Sequence, residues 1–124
     1  MGKDCIMRKI AKERGIRLSH RFAKLCDYLR DEAGEKYAAE QLMKYGGTIG
    51  ACMIQLEMTA GTNDYMKGLH EAVYHTVKAR NWLNLMYDKG YIEDRTYVSM
   101  NRECLDLMEI LLRKTENLFA DLDL

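Results

Sequence analysis

The feature that most constrains the fold is a helical pattern that runs up to Gly90 and resumes directly after it. Gly90 supplies the left-handed residue that commonly ends a helix. Ile92 and Tyr97 then have the spacing of a hydrophobic staple, with Glu93 near the cap position. The segment predicts two helices joined by a tight turn, the first starting after a Thr62 or Asn63 cap. Its core-facing residues are spaced in fours and threes: Tyr65, Leu69, Ala72, Thr76, Ala79, Leu83 and Met86.

Three more stripes of the same kind lie along the chain, and none of the 124 residues is proline. Alternating threes and fours average 3.5 residues, the period of helices that pack at a shallow angle. The sequence therefore predicts an all-α protein, an antiparallel up-down-up-down four-helix bundle. The further stripes are Leu18, Phe22, Leu25 and Leu29; Leu42, Gly46, Ile49, Met53, Leu56 and Ala60; and Tyr97, Met100, Cys104, Leu107, Leu111 and Leu118.

The predicted bundle covers residues 18–120. Residues 1–17 form a basic N-terminal extension, and whether the first helix continues into it is left open because Gly15 interrupts the pattern at a cost of about 1 kcal/mol relative to alanine. Ser19 is a candidate cap for the first helix, and Gly34 marks its end. Residues 121–124 are predicted to be a frayed acidic tail.

The second helix carries more apolar residues than one core-facing stripe needs. Between Tyr45 and Asn63 the sole charged residue is Glu57, and Ala51, Ile54 and Met58 lie off the stripe. A helix buried inside its own subunit would explain them, but a small bundle has few such positions. We therefore predict that these three residues form the interface of a homo-oligomer.

Composition indicates the compartment. No apolar run approaches the ~20 residues that span a bilayer, and the N-terminus lacks the apolar core of a secretory signal. We expect a cytoplasmic protein without a membrane partner. Its four cysteines are far apart, without a CxxC pair, and fit a reducing compartment in which buried thiols pack as small apolar groups.

No recognisable reaction centre emerges from the motifs. His70 and His75 resemble a zinc-protease pair but are five residues apart, about 140° around a helix, so they do not share a face. Gly46 to Gly50 lacks the GK[ST] ending of a phosphate loop. Glu103, Asp106 and Glu109, with Arg102 and Arg113 nearby, have the pattern of a solvated ion-pair face. The sequence predicts no enzyme, no catalytic residue, no metal and no cofactor.

The strongest functional feature is a cluster of positive charge at the N-terminus. Residues 1–24 have a net charge of +6 and the rest of the chain −6. Such a ridge would neutralise phosphates of RNA or DNA. The alternative, which the neutral overall charge favours, is that these side chains solvate the first helix or pair with the acidic fourth helix. The basic ridge comprises Lys9, Lys12, Arg14, Arg17, Arg21 and Lys24.

Two stretches resemble a known family: Gly46 to Ala51, and Leu69 to Ile92 with its Trp-Leu and Gly-Tyr-Ile pieces. It is the bacterial four-helix-bundle family that includes proteins encoded in intervening sequences of large-subunit ribosomal RNA genes. The accessory variability determinant of diversity-generating retroelements is similar. The residues that carry the resemblance are Gly46, Ile49, Gly50, Ala72, Arg80, Trp82, Leu83, Gly90, Tyr91 and Ile92.

The resemblance implies a bundle assembled into a ring, a homopentamer, and for the retroelement relatives a basic surface that binds nucleic acid and a reverse transcriptase. The chain departs from the family where helix three usually carries glutamates, which are His75 and Lys78 here. Our interpretation from sequence is a non-enzymatic oligomeric scaffold or accessory protein. One alternative is a nucleic-acid-binding accessory that uses the basic ridge, and a weaker one is an enzyme or metal protein whose site forms between subunits.

Overall fold

The computed structural model describes residues 3–121, with the side chains from Ile6 to Ala120 apart from Met7 and Phe119. These residues form five α-helices and contain no β-strand. The second and third helices follow one another with a single turn between them, so five helices make four arms. The helices are α1 (Lys3–Asp31), α2 (Lys36–Tyr45), α3 (Ile49–Met58), α4 (Thr62–Asp88) and α5 (Asp94–Asp121).

The arms close into a bundle. Helix α1 packs against α2, α3 and α5, while α4 packs against α2, α3 and α5. Each arm thus contacts the next along the chain, and the last contacts the first. The predicted all-α four-helix bundle is confirmed. Because α3 and α5 both pack on α1 and α4, they lie at opposite corners of the bundle.

The core follows the predicted stripes closely. All seven stripe residues of α4 are buried, and Phe22, Leu42 and Leu107 are fully so. Burying a side chain of this size stabilises the fold by about 1.5–3 kcal/mol. Leu25, Tyr97 and Leu118 are half-buried at the edge of the core. Ala60 is exposed, because α3 has already ended at Met58.

Helix α1 continues through Gly15 without a break. The close approach of α3 explains why a glycine is accommodated there, since the side chain of Met53 occupies the space of a Cβ at this position. The cost of one glycine is offset by the burial of Ala11 and Leu18 on either side of it. The sequence-based boundary between residues 17 and 18 therefore falls inside a helix rather than at its end.

The second arm is interrupted at Gly46 to Thr48, where the sequence predicted one helix. The N–H groups of Gly46 and Gly47 both reach the carbonyl of Leu42, and the Thr48 hydroxyl donates to the carbonyl of Lys44 at 2.6 Å. Two adjacent glycines weaken the helix, and the threonine side chain competes for a backbone acceptor. Because the turn keeps the direction of the chain, the apolar stripe continues across it.

The remaining helix ends include two corrections. Gly61, with φ +94°, precedes α4, and Thr62 is the first residue of the helix rather than its cap. Ser19 lies in the middle of α1 and caps nothing there. The predicted stop at Gly90 has φ +86°, and the N–H of Tyr91 reaches the carbonyl of Met86, which closes α4 as a Schellman motif. Of the predicted tail, residue 121 ends α5 and residues 122–124 lie outside the described residues.

Candidate nucleic-acid interface and assembly surfaces

The arginines of the basic ridge contact carboxylates of α5. Arg17 Nε lies 3.6 Å from Glu103 Oε1, and Arg21 Nη1 lies 3.3 Å from Glu103 Oε2. Arg21 also donates a hydrogen bond to the hydroxyl of Ser99 at 2.7 Å, and Arg14 is 4.0 Å from Asp106. One glutamate is thus shared by two arginines, and these contacts join the first arm to the last.

The lysines of the ridge divide into two groups. Lys12 Nζ lies 2.9 Å from Glu57 on α3. Lys9 and Lys24 are exposed and have no carboxylate within ion-pair distance among the described side chains. A phosphate that bound the arginines would compete with Glu103 or Asp106 for their positive charge. The arginines and Lys12 therefore pair within the bundle, whereas Lys9 and Lys24 are solvated. This arrangement is the one expected if the ridge solvates the first helix and pairs with the acidic last helix.

The carboxylates of α5 do not act as one solvated face. Glu103 and Asp106 reach across to α1, and Glu109 alone pairs within the helix, at 2.8 Å from Arg113. The spacing of the carboxylates along α5 cannot show whether they pair within α5 or with α1. Arg113 on α5 and the arginines of α1 are both within reach of these carboxylates.

The two histidines of the zinc-like motif do not converge. His70 is exposed, whereas His75 is half-buried with its Nδ1 2.9 Å from the Thr48 hydroxyl oxygen. Since that hydroxyl already donates its hydrogen to Lys44, the contact needs an N–H on Nδ1. The described part of the chain contains no group of three His, Cys, Asp or Glu side chains placed to hold a metal ion.

The thiols are poor nucleophiles. Burial raises the pKa of Cys26 to about 11 and that of Cys104 to about 12, although the nearby Arg30 and Arg80 guanidinium groups respectively lower them. Burial also raises the pKa of half-buried Cys52. All three are free cysteines and are protonated at neutral pH. The side chain of Cys5 lies outside the described residues. The raised pKa values disfavour the thiolate form at these three positions.

An apolar surface lies on the outer side of α3 and comprises the predicted interface residues Ala51, Ile54 and Met58. All three are exposed, Ile54 by 44% and Met58 by 76% of its surface. The single charged residue of α3, Glu57, points to one side, where it pairs with Lys12. We call these three residues the α3 surface.

A second apolar surface, which sequence reasoning missed, runs along α5. Val98, Leu105 and Leu112 are exposed and seven residues apart, and Met108 lies half-buried between the last two. The seven-residue spacing was the available signal, since it is the seam period of packed helices. It was hidden because the core stripe of the same helix has the same period. We call these four residues the α5 surface.

A third feature is a set of rings between α2 and α4, also missed from sequence. Tyr37 packs edge-on against Trp82, with centroids 5.6 Å apart. Eight residues after Tyr37 on α2, the ring of Tyr45 packs against those of Tyr74 and His75, with centroids 5.9 and 5.6 Å apart. Lys44 and Lys78 place their Nζ atoms 5.3 and 5.8 Å from the Tyr45 centroid. We call these residues the aromatic face: Tyr37, Lys44, Tyr45, Tyr74, His75, Lys78 and Trp82.

The residues that carry the family resemblance have structural positions. Ile49, Ala72, Leu83 and Ile92 are buried in the core. The hydroxyl of Tyr91 hydrogen-bonds Glu35 in the turn after α1, which raises the tyrosine pKa and ties two turns together at one end of the bundle. Gly46 and Gly50 lie where the backbone of the second arm meets α1.

No model of a known protein family matches the chain, and no curated protein sequence matches it significantly. Four chains of solved structures match it significantly, and one of them aligns over most of the length of both proteins. This is the crystal structure of a protein of unknown function from the S23 ribosomal protein family of Bacteroides thetaiotaomicron. The TM-score is 0.84, and the alignment covers 89% of this chain and 98% of the other.

The two proteins have the same fold. Their sequences are 22% identical, and at this level the likeness concerns the fold alone.

Among the described residues of this chain, none of the helices has the length and apolar character required to cross a membrane.

Proposed function

We propose that the protein is a cytosolic, non-enzymatic helical bundle that assembles with copies of itself and acts as a scaffold or accessory protein. The observation that carries this proposal is the pair of apolar surfaces on α3 and α5, at opposite corners of the bundle. We also propose that it belongs to the ribosomal RNA intervening-sequence family. The fold that it shares with the S23 family protein supports this membership, as do the structural positions of the motif residues.

The α3 surface has the character of an interface. Ile54 and Met58 form an exposed apolar patch on a helix whose one charge is already paired. Single exposed apolar residues are common on monomers, but neighbouring ones on an uncharged face mark interaction sites. A second copy of a chain with zero net charge meets no long-range repulsion when it covers this patch.

The α5 surface supplies the complementary half. Val98, Leu105 and Leu112 repeat every seven residues, which is the spacing that packs one helix along another. The α3 and α5 surfaces differ in sequence and lie at opposite corners, so one copy can place its α3 against the α5 of the next. Such a head-to-tail contact generates a ring when the rotation closes. We propose a closed ring, with five copies as the family resemblance implies.

The non-enzymatic part of the proposal rests on how the polar side chains are used. Arg17 and Arg21 are held by Glu103, and His75 is held by Thr48. Cys104, a fully buried thiol, stays protonated at neutral pH. Each of these groups has a structural partner or environment that explains it without a substrate.

A mixing experiment tests the head-to-tail contact. The variant Ile54→Lys/Met58→Lys blocks the α3 surface, and Leu105→Lys/Leu112→Lys blocks the α5 surface. Each variant alone should be a monomer, because each ring contact needs one intact copy of both surfaces. An equimolar mixture should form a heterodimer, since every molecule retains one good surface. Two variants that keep the wild-type mass would contradict the proposal, and so would a mixture that stays monomeric.

A further inference from the structure

We propose that the aromatic face between α2 and α4 binds single-stranded nucleic acid. This goes beyond the scaffold role and uses none of the α3 or α5 surface residues. It also assigns nucleic-acid binding to a different place from the basic ridge. Three properties of the face fit such a ligand: its charges, its exposed rings and its length.

The two lysines of the face differ from the ridge arginines in their surroundings. Lys44 and Lys78 lie near the ring of Tyr45, and neither has a carboxylate within ion-pair distance among the described side chains. The acid that contacts the face is Glu71, which lies 4.0 Å from His75. A phosphate can therefore approach both ammonium groups without competing with a carboxylate, whereas at Arg17 and Arg21 it competes with Glu103.

The rings supply the second requirement. Tyr37 is 65% exposed and Tyr74 is 53% exposed. Their edge-on contacts, at 69° to Trp82 and 79° to Tyr45, hold each ring in place and still leave much of it in solvent. A pre-positioned tyrosine ring is a stacking platform for an unpaired base. Lysines and tyrosines in one patch thus match the two chemical parts of a nucleotide strand, phosphate and base.

The face is also extended in one direction. Tyr37 and Tyr45 are eight residues apart on α2, as are Tyr74 and Trp82 on the antiparallel α4. At 1.5 Å per residue the two ring clusters are separated by about 12 Å along the helices. A strand that lies in this direction contacts one cluster after the other, with Lys78 between them.

The chemistry favours single strands over the other anionic partners. In a duplex the bases are stacked on one another and present only phosphates and groove edges to a protein surface. Exposed tyrosine rings add affinity only when bases are free to stack on them. An acidic peptide would use the lysines but would leave the ring faces without a matching group.

Fluorescence anisotropy with a labelled oligouridylate of about 12 nucleotides tests the inference. We expect binding at low ionic strength. Two phosphate contacts give a slope of log affinity against log salt of about −1.4, because each contributes about −0.7 on a single strand. A duplex of the same length and label should bind at least tenfold more weakly.

Two variants and one matched control assign the site. Lys44→Ala/Lys78→Ala and Tyr37→Ala/Tyr74→Ala should each weaken binding of the oligouridylate at least tenfold. Lys9→Ala/Lys24→Ala removes the same charge from exposed positions on α1 and should change the affinity less than threefold. Circular dichroism of each variant checks that the bundle is folded.

Three results would overturn the inference. The first is a wild-type protein that does not bind the oligouridylate at low ionic strength, or that binds the duplex as tightly as the single strand. The second is an equal loss of affinity in the Lys9/Lys24 control and in the Lys44/Lys78 variant. The third is a Tyr37→Ala/Tyr74→Ala variant that is folded but has lost its self-association, which would assign the face to a second copy of the chain.

Discussion

The hydroxyl oxygen of Ser19 accepts a hydrogen bond from the backbone N–H of Gly50 at 2.6 Å. Gly50 is the second residue of α3, and its N–H has no acceptor within that helix. A serine in the middle of α1 therefore caps the start of a neighbouring helix. The contact requires a close approach, because a Cβ at Gly50 would lie 3.1 Å from the Cα of Ile16. It fixes the broken second arm against α1.

We expect Ser19→Ala to lower the free energy of unfolding by about 1–3 kcal/mol, because it leaves a buried N–H without an acceptor. Urea unfolding followed by circular dichroism measures the change. Ser99→Ala is the matched control, since Ser99 is exposed and its partner Arg21 keeps Glu103. A Ser19→Ala protein as stable as the Ser99→Ala control would contradict the capping role.

We expect Gly46→Ala to be destabilising although alanine is the better helix former. Its Cβ would lie 2.7 and 2.8 Å from the two δ carbons of the Phe22 ring, which is fully buried and cannot move aside freely. Overpacking of this kind costs about 1–3 kcal/mol. The same substitution in a Phe22→Leu background should cost less, because the branched side chain is smaller. Equal costs in the two backgrounds would refute the steric explanation.

The sequence predicts the fold where one regular spacing of apolar residues runs through a whole helix. The stripe of α4 predicts its core face because Leu69 and Leu83 belong to a single unbroken helix. The break in the second arm is not predictable in this way, since Leu42 and Ile49 keep their spacing across it. The same holds for α1, where burial around Gly15 outweighs the local cost of a glycine.

A candidate surface was predictable only where all of its residues lie on one helix, because their spacing along that helix then shows that they share a face. Ile54 and Met58 were found because they lie off the stripe of their own helix. The aromatic face was not, because Tyr37 meets Trp82 across two arms and spacing within one arm cannot report that contact. The partners of Arg17 and Arg21 were left open for the same physical reason. Several carboxylates are within reach of a long side chain, and the packing of α1 on α5 decides among them.

We expect stability to fall as the pH rises above about 9. The folded protein holds the pKa of Cys26 at about 11 and that of Cys104 at about 12, whereas the ordinary pKa of a thiol is 9.0. Between these values the unfolded chain has released protons that the folded chain retains, so unfolding becomes more favourable. Below pH 9 both states keep the protons and the contribution is constant.

Urea unfolding from pH 8 to 11 measures this dependence, and the variant Cys26→Ala/Cys104→Ala is the control. Its stability should fall less steeply over the same range, whatever its absolute value. Parallel curves for the wild type and the variant would contradict the role assigned to the two thiols.

We expect Glu103→Gln to remove the ion pairs that hold Arg17 and Arg21 of the basic ridge. The loss of stability should stay below about 1 kcal/mol, because the ion pairs are partly exposed. Retention on a heparin column should rise, since Arg17 and Arg21 no longer have a carboxylate partner. Glu109→Gln is the matched control, with the same change in net charge at a pair within α5. Equal retention of the two variants would mean that Glu103 does not neutralise the ridge.

Self-association is the central claim of this account, and static light scattering of the wild-type protein at micromolar concentration tests it most directly. We predict a mass several times the 14.4 kDa of one chain, about 72 kDa for the five-copy ring, and the same mass in high salt because the α3 and α5 surfaces are apolar. A mass of 14.4 kDa at that concentration would contradict the claim.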